Sequence, residues 1–469
     1  MRDDDLYNLL VPDAPEHRRT ERDEPGRAAR GLAPGATPRE PRPGLQEPSL
    51  IPSADGAIER ILFVLPTWAL TRPDLVEGYR SVIRELRPGT HFVVVHQDAA
   101  DEVAAWFADA GHEPGNVTLV PVPEHVALTD WAEDAYAALK DTDSPQTILM
   151  EPWEFARAGD ALIAQYVQDY AGIPASQAPL IFQGGNILVG GSFWLLGRDY
   201  VAESEELLTG GRPPVNLPAD RPVTDALASL FAEYLEAQRE LLVLGTDEPI
   251  GLRDYYGAMS ERGFTLDMPS GGAGMYQPIF HIDMFVTLLG PASDGRYEVT
   301  VGSPRLADEA LGTSSPYALD DVYDAAAAAL EATGARVSRN PLVHHATFRG
   351  TTNLATLDQA AADYGSEDLR LAAAALRDLG AGPDDEVHLR DWHHITWNNC
   401  LVENSECEGR HVYMPTYGAS YPELAPLDDR MEQWWTERGF TVHRLADFSP
   451  FAERQGVVHC ITKYLGRSA

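Results

Sequence analysis

The sequence predicts an α/β fold with helices packed outside strands, and three observations support this prediction. Short apolar strand patterns alternate with helical patterns from Ile61 to the C-terminus. A unit of two or three strands and one helix recurs along this region without exact sequence repeats, which favours a circular array of similar units. The hydrophobic content of 44% is sufficient for a large core.

The individual elements follow from local patterns in chain order. Apolar, β-branched runs predict strands at residues 61–66, 91–96, 117–122, 148–150, 180–183, 187–189 and 193–196. Helical periodicity predicts helices at residues 75–86, 102–110, 223–239, 319–333, 367–379 and 424–439. A hairpin is predicted from residues 279–289 and 297–301, with later strands at 395–402, at 411–414 and from Val457 onward.

Residues 1–57 differ in composition from the rest of the chain. They are rich in Arg, Pro, Glu and Gly and lack a hydrophobic period. Such a segment buries too little apolar surface to offset the entropy that is lost on ordering. We therefore predict a disordered N-terminal arm over residues 1–57, with residues 6–11 as a docking patch, and a single folded domain over residues 58–469.

The net charge of −36 is spread over the whole chain. Nucleic acids and anionic membranes bind basic surfaces, so this charge argues against both partners and is compatible with a cationic substrate. No stretch approaches the roughly 18 apolar residues of a membrane span, and the N-terminal residues lack the apolar segment of a signal peptide. Three cysteines do not form a disulfide framework. These features predict a cytoplasmic protein and leave a homo-oligomer open.

Four motifs bring reactive side chains to the edges of predicted strands. They are Trp131-Ala132-Glu133-Asp134, Phe182-Gln183-Gly184-Gly185-Asn186, His281-Ile282-Asp283 and Val458-His459-Cys460-Ile461-Thr462. Together they supply a thiol, an imidazole and two carboxylates. A cysteine needs a neighbouring histidine or another positive field to react as a thiolate, and carboxylates need a cation to hold.

The order and spacing of these motifs resemble those of guanidino-group-modifying enzymes, and most closely the agmatine deiminases and bacterial peptidylarginine deiminases. The resemblance extends from about Ile61 to the C-terminus and includes residues 398–418. It implies the pentein fold, a five-bladed α/β propeller of ββαβ units around a central site, with residues 58–469 as the catalytic domain. It also implies a hydrolase that acts on a small cationic guanidino compound and needs neither a metal nor an organic cofactor.

The resemblance assigns a role to each reactive side chain. Asp134 and Asp283 bind the guanidinium nitrogens through charge-assisted hydrogen bonds, which hold the planar group still. Cys460 attacks the central carbon as a thiolate. His281 protonates the departing amine and then activates water against the thiouronium intermediate. The products are ammonia and a ureido compound, formed from agmatine, arginine or a related guanidino compound.

Trp131 and Gln183 are the further substrate contacts that the resemblance implies. The related deiminases usually carry Glu where this chain has Gln183, and a neutral amide keeps the hydrogen-bonding shape but loses the negative charge. We expect either Glu151 or Glu154 to lie near His281 and supply that charge, or plain agmatine to be a slow substrate. A second departure is Glu-Arg-Gln-Gly at residues 453–456, where a glycine run is usual.

Two other functions stay open at the level of sequence. An amidinotransferase uses the same Cys-His-Asp site but passes the amidino group to an amine, and a catalytically altered protein binds guanidino compounds without turnover. The motif residues also have structural alternatives. Asp134 lies in an acidic, helix-like stretch that is typical of a solvated surface, and His281 and Asp283 share one strand face, which suits a structural pair.

Two further groups of residues look like metal ligands but lack support. Cys400 and Cys407 have six residues between them and no second ligand pair, so we interpret them as structural. The dipeptides His344-His345 and His393-His394 are not accompanied by acidic or cysteine ligands at a suitable spacing. The sequence therefore predicts no metal site.

Overall fold

The computed structural model describes residues 45, 47–141, 144–211, 223–250, 257–260, 263–269, 275–315, 319–364 and 367–468. Strands β1 to β10 are Pro48–Leu50, Ile58–Leu65, Thr90–His96, Val117–Val122, Ala137–Asp141, Ser144–Glu151, Ala175–Gln177, Ile187–Val189, Phe193–Gly197 and Glu240–Leu244. Strands β11 to β20 are Gly257–Ser260, Gly263–Pro269, Val286–Pro291, Tyr297–Ser303, Arg336–Asn353, Glu386–Thr396, Leu401–Ser405, Gly409–Thr416, Phe440–Asp447 and Thr462–Arg467. The α-helices of the described residues are Thr67–Leu70, Pro73–Glu85, Ala100–Asp109, Ile163–Ala171, Arg198–Thr209, Val223–Tyr234, Pro304–Leu311, Asp320–Ala332, Leu354–Tyr364, Glu367–Asp378, Ala425–Thr436 and Ser449–Ala452.

The described strands form five sheets, and each sheet contains the same unit. Two strands pair antiparallel, the chain crosses over through one or more helices, and the next strand pairs parallel with the second strand. The five units are β20–β2–β3, β5–β6–β7, β8–β9–β10, β13–β14–β15 and β17–β18–β19. The prediction of a mixed α/β fold is confirmed. The arrangement of these units as the blades of a propeller stays a prediction.

The last strand joins the C-terminus to the N-terminal part of the fold. β20 pairs antiparallel with β2, which is the first strand of the main body. Arg467 in β20 also donates to the carbonyl oxygens of Ser53 and Gly56, at 2.6 and 3.0 Å. Because strands that are distant in sequence share one sheet, this unit forms only when both ends of the chain are in place.

The structure differs from the predicted disordered arm over residues 47–57. β1 pairs antiparallel with β5, and Leu50 and Ala54 are buried. These side chains belong to hydrophobic clusters formed mainly by later parts of the chain, and a local composition count does not detect such contacts. The rest of the predicted arm, including the docking patch at residues 6–11, lies outside the described residues.

The sheet of the unit β13–β14–β15 continues into three further strands that have their own hydrophobic core. β15 and β16 form a long antiparallel pair, and β12 and β11 continue the sheet beyond β16. The helices Leu354–Tyr364 and Glu367–Asp378 pack on this extension, where Leu357, Leu376 and Leu389 belong to a hydrophobic cluster separate from the main core. The apolar faces of these two helices therefore pack against β11, β12 and β16.

Several predicted strands are wrong near the candidate site. Residues 180–183 form no strand, because their backbone groups bond elsewhere: Ile181 N donates to Ser204 Oγ at 2.9 Å. In the predicted hairpin, the first strand begins only at Val286, after a 3₁₀ turn at Ile282–Met284. Residues 395–402 divide between β16 and β17. Residues 458–461 form turns, so Cys460 precedes the last strand instead of lying within it.

The residues that flank the thiol belong to the main hydrophobic core. Val457, Val458 and Ile461 are completely buried. Their β-branched side chains suggested a strand, but here they pack as a buried turn. None of the helices in the described part of the chain is both long and apolar enough to cross a membrane.

Candidate active site

Five chain segments supply the candidate site, and each lies directly before the first strand of a unit. Asp134 precedes β5, Gln183 precedes β8, His281 and Asp283 precede β13, Asn399 precedes β17 and Cys460 precedes β20, each by no more than five residues. Corresponding positions of similar units thus bring together side chains that are far apart in sequence. The contacts below connect all five segments.

The Cys460 thiol is buried and makes contacts from two of these segments. Its side chain is 3% exposed. Asn399 Nδ2 donates to Cys460 Sγ at 3.2 Å, and the thiol faces Asp283 Oδ2 at 3.8 Å. Burial raises the pKa of the thiol well above its ordinary value, and the charges of Asp283 and Asp134 raise it further. Both effects favour the neutral thiol over the thiolate.

Asp283 binds the histidine that precedes the cysteine. His459 Nδ1 donates to Asp283 Oδ2 at 2.8 Å, and both side chains are buried. Burial by itself lowers the pKa of His459, but Glu133 and Asp283 outweigh it and raise the pKa above its ordinary value. The other carboxylate oxygen, Asp283 Oδ1, is buried and has no hydrogen-bond partner in the described residues. The alternative of a His281–Asp283 structural pair is not observed, because Asp283 pairs with His459.

Asp134 is shared in the same way with an internal arginine. Arg157 Nη2 donates to Asp134 Oδ2 at 2.7 Å, and Arg157 Nε donates to Asp160 Oδ2 at 2.7 Å. Asp134 is only 4% exposed and lies in a turn, so it does not belong to a solvated helical surface. Asp134 Oδ1 is buried without a hydrogen-bond partner among the described residues, and lies 3.6 Å from His281 Nδ1.

His281 contacts Gln183 through its other ring nitrogen. His281 Nε2 donates to Gln183 Oε1 at 2.9 Å, and the Tyr200 hydroxyl lies 3.5 Å from the same nitrogen. An amide oxygen accepts this hydrogen bond but adds no negative charge. His281 Nδ1 is buried and has no hydrogen-bond partner in the described residues. Nδ1 is thus the nitrogen that faces Asp134.

The two glycines after Gln183 are required by close packing. A Cβ atom on Gly185 would lie 2.5 Å from His281 Nδ1, and one on Gly184 would lie 1.9 Å from the carbonyl oxygen of Glu133. Neither position has a positive φ angle, so backbone freedom is not the reason for glycine. The pair lets the segment before β8 approach both His281 and the Asp134 segment.

Trp131 supports the segment that leads to the thiol. The indole is 6% exposed, and a Cβ atom on Gly456 would lie 2.2 Å from its ring. The Arg454 guanidinium lies 5.8 Å from the ring centroid. Gly456 and Arg454 belong to the Glu-Arg-Gln-Gly segment at residues 453–456, which replaces the usual glycine run. Residues of this segment therefore pack around the Trp131 ring. A contact between Trp131 and substrate stays a prediction.

A third buried carboxylate beside the thiol segment also has an internal cation. Lys463 Nζ donates to Glu133 Oε1 at 2.6 Å, and both side chains are buried. The backbone N of Glu133 donates to the carbonyl oxygen of Cys460 at 3.1 Å. Burial raises the pKa of Glu133, while Lys463 and His459 oppose that rise. This ion pair connects the Asp134 segment to the last strand, while Glu133 Oε2 is buried and has no hydrogen-bond partner in the described residues.

Sequence reasoning did not assign the residues that complete the site. Asn399, His459, Arg157 and Tyr200 were given no role, although Asn399 lies in a segment that resembled the family and His459 lies within a motif. The sequence evidence for a functional role of these residues was weak, because Asn and Arg occur in many structural roles. The proposed substitutes for the missing glutamate, Glu151 and Glu154, stay predictions.

The histidine pairs lie opposite one another on β15 and β16. His344 faces His394 and His345 faces His393, with ring centroids 4.7 and 5.2 Å apart. Burial lowers the pKa of His344 to about 4. No group of three or more His, Cys, Asp or Glu side chains in the described residues has a geometry suited to a metal ion. Burial also lowers the pKa of His345 and His394, which favours the neutral form of these rings.

Comparison with known proteins detects similarity of fold. No protein-family model and no curated protein sequence matches the chain. Among solved structures, a protein provisionally named as an agmatine deiminase is 14% identical and has a TM-score of 0.51, with 90% of this chain and 97% of that chain covered. A provisionally named peptidyl-arginine deiminase is 12% identical with a TM-score of 0.51, covering 90% of this chain and 100% of that chain.

The agmatine deiminase of Enterococcus faecalis is also similar. It is 16% identical with a TM-score of 0.50, and the match covers 89% of this chain and 95% of that chain. At these identities the likeness concerns the fold. The structural neighbours are the agmatine and peptidylarginine deiminases that the four motifs predicted.

Proposed function

We propose that this protein is a cysteine-dependent hydrolase that removes ammonia from a guanidino compound. The observation that best supports this function is that two buried carboxylates of the site, one of which contacts the Cys460 thiol, each have one oxygen without a hydrogen-bond partner in the described residues. Asp134 Oδ1 and Asp283 Oδ1 lack hydrogen-bond partners in the described residues. A guanidinium has N–H donors in one plane and a positive charge, so one such group satisfies both oxygens.

The internal cations leave these two oxygens available and fix their directions. Arg157 holds Asp134 by Oδ2, and His459 holds Asp283 by Oδ2. Each carboxylate therefore offers one oxygen to the substrate and keeps the other as an anchor. This arrangement orients the guanidinium plane relative to the Cys460 sulfur. It also reduces the negative charge of the site, because Arg157 and His459 share the charge of the two carboxylates.

The bound cation changes the state of the nucleophile. Burial and the two carboxylates keep the pKa of Cys460 high. A guanidinium between the carboxylates reverses that electrostatic effect and lowers the thiol pKa. The hydrogen bond from Asn399 Nδ2 to the sulfur also favours the thiolate. The thiolate thus forms mainly when substrate is present.

The reaction then follows two balanced steps. The Cys460 sulfur bonds to the guanidinium carbon, the C–N bond to one amino group breaks, and ammonia leaves with the proton that the thiol gave up. Water next bonds to the same carbon and the C–S bond breaks; one water proton returns to the sulfur, and the other is released and converts ammonia into ammonium. Guanidinium and water thus become a ureido product and ammonium.

His281 is placed for both proton transfers. Its Nδ1 lies 3.6 Å from Asp134 Oδ1, next to the position of the nitrogen that this carboxylate binds. From there it donates a proton to the leaving amine and later takes one from water. Gln183 holds the ring by Nε2 throughout.

The structural neighbours support guanidino compounds as substrates. They include proteins named as agmatine deiminase and peptidyl-arginine deiminase. We propose agmatine, arginine or peptidyl-arginine as substrate classes, with no nucleic acid or membrane partner. No observation favours an amidinotransferase or a binding protein without turnover.

The test is an assay of ammonia and ureido product with agmatine, arginine and a peptidyl-arginine as separate substrates. At least one should give both products in equal amounts without an added amine. Rapid quenching and mass spectrometry should detect an amidino adduct on Cys460. Cys460→Ser should lower turnover by about 1,000-fold or more, because a serine hydroxyl lacks a sufficient base here.

Cys407→Ser is the matched control, since Cys407 is exposed and unpaired. This variant should keep wild-type turnover. Amidino transfer that depends on an added amine would contradict hydrolysis. Equal activity of Cys460→Ser and Cys407→Ser would refute the nucleophile.

A further inference from the structure

Asp199 is a carboxylate near His281 that the proposed reaction does not use. It lies in the first turn of the helix Arg198–Thr209, which follows β9. Its Oδ1 accepts a hydrogen bond from the backbone N of Tyr276 at 2.7 Å. Its Oδ2 is buried and has no hydrogen-bond partner in the described part of the chain. A purely structural aspartate would be expected to satisfy both oxygens.

Two contacts place this carboxylate in the surroundings of His281. The next residue in the helix, Tyr200, has its hydroxyl 3.5 Å from His281 Nε2. Tyr276, which Asp199 binds, lies on the segment that continues to His281. Burial raises the pKa of Asp199 to about 6, and the positive charge of His281 opposes this rise. The Tyr200 contact and this electrostatic effect together indicate that Asp199 lies within range of the charge of His281.

The other groups around His281 do not supply an unshared negative charge. Gln183 accepts from Nε2 but is neutral, and Tyr200 is also neutral. Asp134 faces Nδ1, but its charge is shared with Arg157. The proposed reaction nevertheless needs a protonated imidazole when the amine leaves.

We propose that Asp199 is a positioning residue that stabilises the protonated form of His281, in place of a carboxylate at position 183. Its charge acts through space from the helix Arg198–Thr209, while the amide of Gln183 holds the ring. The role of His281 rests on the proposed deiminase function. The charge coupling between Asp199 and His281 does not depend on turnover, so the two are tested separately.

The test is an NMR titration of histidine imidazoles in the intact protein, with the His281 signal assigned from its loss in His281→Asn. Asp199→Asn keeps an acceptor for the Tyr276 N–H but removes the charge. The pH at which His281 gains its proton should fall by about half a pH unit or more, because a nearby negative charge favours the protonated ring. Asp294→Asn is the control, since Asp294 pairs with Arg296 and Arg336 on an exposed hairpin.

Rescue distinguishes charge from local packing. Gln183→Glu in the Asp199→Asn protein should return the His281 midpoint toward its wild-type pH, because a carboxylate then accepts from Nε2. In turnover assays, Asp199→Asn should lower kcat with little change in KM, and the double variant should regain kcat. A packing defect at Asp199 is not repaired by a charge at position 183.

A reciprocal measurement covers the case in which Asp199→Asn does not fold. In His281→Asn, the Asp199 carboxyl signal should titrate at a higher pH than in the wild type, because coupling is mutual. The inference is overturned if Asp199→Asn moves His281 no further than Asp294→Asn does, or if His281→Asn leaves the Asp199 midpoint unchanged. Absence of turnover in the wild type, with both shifts present, rejects the proposed function and leaves the coupling intact.

Discussion

At the residue scale, each of the two carboxylates that we propose to bind substrate pairs with a buried basic side chain. Arg157 binds Asp134 and Asp160 together, and all three side chains are buried. Asp160 also accepts from the backbone N and the hydroxyl of Thr129. The arginine thus connects the segment before β5 to the chain that follows β6. Removal of one member of such a network leaves buried charge without a partner.

This predicts a large loss of stability for Arg157→Met. The free energy of unfolding should fall by about 3–5 kcal/mol, because Asp134 and Asp160 lose their cation in a buried site. Urea unfolding measures the change. Arg336→Met removes an exposed arginine paired with Asp294 and Glu298, and should cost about 1 kcal/mol or less. Equal losses in both variants would mean that the buried network does not stabilise the fold.

At the element scale, the site is built from short segments that precede first strands. The segment Gly184–Asn186 forms a 3₁₀ turn in which Asn186 Oδ1 accepts from the backbone N of Ile282 at 2.9 Å. This contact joins the segment before β8 to the 3₁₀ turn before β13. The position of His281 therefore depends on how closely these two turns approach each other.

This predicts that Gly185→Ala impairs catalysis through His281. The added Cβ would lie 2.5 Å from His281 Nδ1, so the ring must move. A displacement of about 1 Å at a catalytic group lowers kcat by about 100-fold, which the ammonia assay measures. Gly115→Ala is the control, because its Cβ meets no atom within 4 Å and its φ is not positive. Wild-type kcat in Gly185→Ala would contradict the close approach.

At the scale of the whole molecule, the two ends of the described fold support each other. β1 pairs with β5, Glu236 Oε2 accepts from the backbone N of Leu50 at 3.0 Å, and Arg467 binds the carbonyl oxygen of Ser53. The last strand, which follows Cys460, therefore packs against residues near the start of the fold. Stability and the position of the thiol are linked through this closure.

Two truncations test this linkage. Deletion of residues 1–44 should leave the unfolding midpoint and kcat unchanged, because that composition buries little apolar surface. Deletion of residues 1–57 should lower the free energy of unfolding by about 3 kcal/mol or more, since β1 and the buried side chains of Leu50, Ile51 and Ala54 are lost. Circular dichroism and the ammonia assay report the two effects. Equal stability of both truncations would show that β1 is dispensable.

The sequence by itself determined the alternation of strands and helices and identified the four motifs that meet at the site. Hydrophobic periodicity and residue chemistry are local properties, so they are visible without a structure. The pairing of Asp134 with Arg157 and of Asp283 with His459, and the position of Asp199 near His281, were decided only by the tertiary structure. The two ion pairs join residues that are 23 and 176 positions apart in the sequence, and no local pattern encodes which side chains meet. The same reason explains the turn at Cys460: local propensity favoured a strand, but packing of the last unit against the others overrode it.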